Sequence, residues 1–116
     1  RARNHNRFLW VWGVDLAHVG RRYGDPLQAR AHDGAMNQVA ARDRERLDRV
    51  TNGDASGFWQ LTHQGGNDDL KWCGSSPLYA FLRTHPEVRG QVLHYDQWNI
   101  DDASVVSFAA LSFSEP

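Results

Sequence analysis

The hydrophobic pattern opens with a nearly unbroken apolar run over residues 8–14 (FLWVWGV), which predicts a strand buried on both faces in the middle of a sheet. Residues 15–26 follow with two glycines, two arginines and a proline, and predict a loop at that strand's carboxyl end. Open α/β sheets place their ligands at such loops. Met36, Val39, Ala40, Leu47 and Val50 then recur at helical spacing, with Asp43 interrupting the stripe, Asp33 as N-cap and Asn52-Gly53 as the stop. Asp54 caps a second helix bearing Phe58, Trp59 and Leu61. Residues 64–69 form a polar, glycine-containing loop, and Ser76-Pro77 starts a third helix that runs to Thr84. Residues 91–97 and 104–113 read as two more strands, joined by an acidic turn at 99–102. One strand, three helices and two strands make an α/β fold in a single domain over residues 1–116.

Composition narrows the function classes. Thirteen Lys+Arg against fourteen Asp+Glu leave a net charge of −1, so no basic field gathers nucleic acid or an anionic membrane surface. The longest apolar run is strand-sized, far short of a membrane span. Cys73 is the single cysteine, which excludes an internal disulfide and suits a cytoplasmic protein. The RDRERLDR stretch alternates charges, as a solvated helix face does. A first strand that looks central has few strands to flank it. With an Arg rather than a Met at position 1, this predicts part of a longer product, with apolar surface exposed around Trp10 and Trp12.

Three residues carry candidate chemistry. Asp15 and His18, three apart after the first strand, pair a carboxylate with an imidazole it can orient; the alternative is a turn cap beside a surface histidine. Cys73 lies just before a helix start, where backbone N–H groups favour a thiolate, the form that binds metal; the alternative is a buried apolar thiol. The other histidines lack metal-ligand spacing, and the five tryptophans read as core or interface anchors.

Taken together, GVDLAHVGRRYG, WCGSSP and HYDQWNIDDASVVSFAALSF resemble the Memo family, also called AmmeMemoRadiSam system protein B, related in fold to class III extradiol (LigB-type) dioxygenases. Asp15, His18, Gly20, Arg22 and Tyr23 match the first block of that family. Cys73, Gly74 and Pro77 match the second, and Tyr95 with the last strand matches the third. The resemblance implies part of a mixed central sheet flanked by helices, with a metal-binding cleft at the strand ends. It makes Cys73 a metal ligand, His18 the counterpart of the dioxygenases' catalytic base and Asp15 its neighbour. A thiolate with imidazoles suits iron, copper or zinc. The match covers the carboxyl-terminal part of the family, so the resemblance implies two further histidine ligands from a missing amino-terminal half, and Ser75 stands where the family often has arginine. Three readings follow. One is a metal-dependent redox or dioxygenase-like enzyme, incomplete in this chain; another is a non-catalytic binding protein holding a peptide, a small molecule or an anion, with Arg21 and Arg22 contributing; the third is a structural domain with a decayed site.

Overall fold

The computed structural model describes residues 8–63 and 65–115. Strand β1 spans Leu9–Gly20, helix α1 Ala35–Thr51, α2 Ala55–His63 and α3 Ser75–Thr84; strands β2 (Arg89–Asp101) and β3 (Ser104–Ser114) close the chain. The α/β class and the element order are as the hydrophobic pattern predicts. The sheet order is β1-β3-β2, and both pairings are antiparallel.

The first strand differs from its expectation in two ways. It lies at an edge of the three strands, pairing with β3 alone, rather than in the middle. It also continues through residues 15–20, so Asp15 and His18 sit in the strand and not in a following loop. The apolar run reads as doubly buried, yet only one face of it packs. Trp10 and Trp12 lean on Phe81, at 5.5 and 5.1 Å between ring centroids, while Leu9 and Val11 on the other face are 69% and 66% exposed. Apolar surface is indeed open on this strand, but around Val11 rather than around the half-buried tryptophans.

The core lies between the sheet and the helices. Strand β3 alternates strictly: Val105, Ser107, Ala109, Leu111 and Phe113 are buried on the helix side, and Val106, Phe108, Ala110 and Ser112 are half-buried on the other. Met36, Val39, Leu47 and Val50 of α1, Phe58 of α2 and Leu78, Phe81 and Leu82 of α3 complete the cluster. Helix α1 starts at Ala35 after Gly34, one residue later than an Asp33 cap would start it, and no side chain caps it. Helix α3 starts at Ser75 after Gly74, which moves Pro77 to the third helical position. Asn52 and Gly53 (φ 71°) end α1 as expected.

The Asp54 cap forms: its Oδ1 accepts from the Gly57 N–H at 3.0 Å. Asp54→Ala is expected to cost about 1 kcal/mol, since the amide then loses its acceptor, whereas Asp54→Ser keeps most of that stability. Urea unfolding of the two variants checks this; equal midpoints for Ala and wild type would refute the cap.

Candidate functional site

The site is built on a bulge. Asp15 pairs with Phe108 and His18 with Val106, so Leu16 and Ala17 together oppose Ser107. An extra residue in one strand turns successive side chains the same way. Leu16 and Ala17 are both fully buried, and the Ala17 N–H donates to Ser107 Oγ at 2.9 Å. The register puts Asp15 and His18 on the face away from the helices, in line with Phe108 and Val106. The polar-apolar-apolar-polar sequence Asp15-Leu16-Ala17-His18 is thus the signature of a bulged strand, although its polar ends first suggest a loop.

His18 is held in one tautomer. Its Nδ1 lies 2.9 Å from the Leu16 carbonyl and 3.0 Å from the Lys71 carbonyl. Carbonyls only accept, so Nδ1 carries the proton of the neutral ring and Nε2 keeps the lone pair. The Tyr23 ring meets the imidazole edge-on at 5.1 Å.

The segment carrying Cys73 docks along the same stretch of β1. The His18 N–H donates to the Leu70 carbonyl at 2.8 Å, the Cys73 N–H to Leu16 at 3.4 Å and the Gly74 N–H to Asp15 at 3.3 Å. Gly74 permits this approach: a Cβ there would meet Val14 Cβ at 3.3 Å. Cys73 is exposed, which removes its reading as a buried packing thiol. Asp15, His18 and Cys73 therefore share one short stretch, tied by backbone bonds, while no hydrogen bond among the described residues joins their three side chains.

Two carboxylates hold this segment, Asp43 fully buried and Asp68 half-buried, and neither belongs to the motifs read from the sequence. Asp68 takes a bidentate pair from Arg46 at 2.7 and 2.9 Å and accepts from the N–H groups of Leu70 and Trp72, each at 3.0 Å. Burial pushes its carboxyl up, but Arg46 and the two amides outweigh that and hold it below the usual range. Asp43, an interruption of the apolar stripe in sequence, is fully buried. Its carboxylate accepts from Trp72 Nε1 at 2.7 Å and from the Tyr95 hydroxyl. Burial still leaves it above its ordinary value, and the same burial with the Asp43 charge pushes the Tyr95 phenol up. The signal for Asp43 was its place on the buried face of α1, between Val39 and Leu47. His63 stacks on Trp59, with ring centroids 3.8 Å apart.

On the sheet face away from the helices, Asp15, Trp98, Ile100, Val106 and Phe108 line an open depression of about 350 Å³. Trp98 is 65% exposed and meets Phe108 edge-on at 5.3 Å. Arg22, a candidate anion contact, is already paired with Asp101 at 3.4 Å. No helix among the described residues is long and apolar enough to cross a membrane.

The bulge, the Tyr23 contact and the docked Cys73-Gly74 pair bring residues of the first two motif blocks together along β1, while Tyr95 of the third lies on β2, bonded to Asp43. A family model for Memo-like protein matches residues 2–112. The chain belongs to the Memo-like protein family. No curated protein and no solved structure matches it. For a Memo-like chain the implied group is a metal ion, and the described residues alone do not fit one. Among them, no three His, Cys, Asp or Glu side chains are grouped to hold an ion. Cys73 and His18 offer two donors, where zinc-type sites take three or four from the protein.

Proposed function

We propose that this chain forms the His18–Cys73 side of a Memo-like metal-binding redox or dioxygenase-like site, completed by ligands from a longer polypeptide in the cytoplasm. The tautomer of His18 carries the reading. With Nδ1–H committed to two carbonyls, Nε2 presents its lone pair without rearrangement, as a general base or a hydrogen-bond acceptor for substrate requires. Asp15 lies beside it on the same face, and the exposed Cys73 thiol is free to act as a ligand. A base on Nε2 would take a proton from a bound hydroxyl or amine and become an imidazolium whose Nδ1–H is already satisfied.

The test is equilibrium dialysis of the 116-residue chain, and of the longer natural product containing it, against Fe(II) and Zn(II). We expect no stoichiometric metal on the chain alone, and one ion on the longer protein that is lost on Cys73→Ser. One tightly held ion on the chain alone, lost on Cys73→Ser, would overturn the need for further ligands. A longer protein that binds no metal would overturn the metal site.

The second reading is a non-catalytic binding protein. The apolar depression favours an apolar peptide over an anion, because the carboxylate in its lining, Asp15, repels negative charge. Peptide binding that is indifferent to metal and to Cys73→Ser would select it.

A further inference from the structure

We propose that Lys71 is a positioning residue of this site: with Asp25 it closes a clasp that holds His18 between two segments. The imidazole meets two groups from outside β1. The Lys71 carbonyl lies 3.0 Å from Nδ1, and the Tyr23 ring stands edge-on at 5.1 Å between centroids. Each group belongs to a different segment, and one ion pair joins the two. Lys71 Nζ donates to the Asp25 carboxylate at 3.2 and 3.5 Å. Asp25 in turn closes the short loop that carries Tyr23. Its Oδ2 accepts the Gly20 N–H at 2.9 Å, and its own N–H donates to the Gly20 carbonyl at 3.1 Å, with the Arg21–Tyr23 turn of helix between them. The ring and the carbonyl that meet His18 are therefore tied to each other through Lys71 and Asp25.

The backbone at Lys71 points the same way. Its φ is 56°, in the left-handed region that glycine or asparagine enters at lower cost. Glycine at this position would serve the turn, in which the Lys71 N–H donates to the Asp68 carbonyl at 3.1 Å, but would bring no ammonium. Nζ also donates to the Asp69 carbonyl at 3.1 Å, so the side chain folds across its own turn on the way to Asp25. A strained residue beside a site reports a constraint beyond the local fold. Stability is not that constraint. The Lys71 and Asp25 side chains are 39% and 25% exposed, and an ion pair so open to water adds little to folding. What the pair fixes is the spacing of the two segments, and with it the acceptor and the ring that face His18.

The inference rests on the reading of His18 as a site residue, and its test reads His18 itself rather than metal or activity, so the two fail separately. Side-chain ¹⁵N spectra of His18 and the nuclear Overhauser contact between Tyr23 and His18 are measured on the whole chain at about pH 8, where a free imidazole is neutral. The variants are Lys71→Met, Lys71→Gly, Asp25→Asn and the double variant of Lys71→Met with Asp25→Asn. Lys71→Met and Asp25→Asn are each expected to raise the ratio of the Nε2–H to the Nδ1–H tautomer about threefold, within what one hydrogen bond is worth, and to weaken the Tyr23 contact. The double variant should go no further than the stronger single one, since both cut the same pair. Lys71→Gly relieves the backbone and removes the ammonium, so it separates the two roles. A lysine that served the turn alone would give way to glycine with His18 unchanged; here Lys71→Gly should shift His18 as Lys71→Met does. An unchanged His18 signature in Lys71→Met or Lys71→Gly, or additive shifts in the double variant, would overturn the proposal. If Asp25→Asn does not fold, the two Lys71 variants decide it.

Discussion

Asp68→Asn is expected to lower the unfolding free energy by about 3–5 kcal/mol, the usual cost of removing one partner from a buried ion pair. The Arg46 side chain is 3% exposed, so without Asp68 its guanidinium stays in the core with no counter-charge. The amide also leaves one of the Leu70 and Trp72 N–H groups without its acceptor, which frees the segment that carries Cys73. The neighbouring pair Arg42–Asp69 has the same 2.7 Å distance but is exposed on both sides, and Asp69→Asn should cost under about 1 kcal/mol. Replacing Arg46 and Asp68 together by Met and Leu should recover much of the loss, since packing needs no counter-charge. The pH dependence has a definite sign. Asp68 titrates lower in the folded chain than its unfolded value of about 3.9, so its contribution is complete above about pH 4 and is lost as pH falls through the folded value. The gap between wild type and Asp68→Asn in urea should therefore narrow in acid. A gap below about 1 kcal/mol at neutral pH would refute the pair's role.

Gly20→Ala is the second large loss. Gly20 closes β1 with φ 122°, outside what an L side chain adopts at low cost, and a Cβ there would lie 2.2 Å from the Ala103 carbonyl oxygen and 2.7 Å from Ser104 Cα. Both neighbours are backbone of the β2–β3 turn and cannot swing away. Backbone strain of about 1–3 kcal/mol and overpacking of about 1–3 kcal/mol combine to roughly 3 kcal/mol. For a domain of this size that is a fall in Tm of more than about 10 °C. The clash would separate the end of β1 from the turn, where the Arg22 N–H meets Ser104 Oγ at 2.9 Å and the Ala29 N–H meets the Ala103 carbonyl at 2.9 Å. Gly24 is also at positive φ (87°) but with ψ 5°, in the left-handed region that an L residue can enter, and has open space around it, so Gly24→Ala should cost clearly less. Thermal unfolding of the two variants checks this, and equal losses would refute the extra cost of the Gly20 conformation and its close approach.

What the amino-acid sequence determined by itself was local. The order of elements, the buried stripe of α1, the Asp54 cap and the Asn52-Gly53 stop all follow from interactions within a turn or two of helix. Periodicity and capping chemistry report such interactions directly. The motifs around Asp15, Cys73 and Tyr95 were also legible, and they led to the Memo-like family. What only the tertiary structure decided depends on which distant residues meet. A run such as Phe8–Val14 records that a strand is apolar, but its neighbours are chosen by pairing with a segment about a hundred residues later, and that pairing put β1 at an edge with Val11 exposed. The bulge was invisible because a slip in register belongs to two strands at once: only Ser107 opposite Leu16 and Ala17 makes Asp15 and His18 point the same way. Asp43 was misread for the same reason. A carboxylate in an apolar stripe is a defect unless donors arrive from elsewhere, and Trp72 and Tyr95, 29 and 52 residues away, arrive only when the chain has folded.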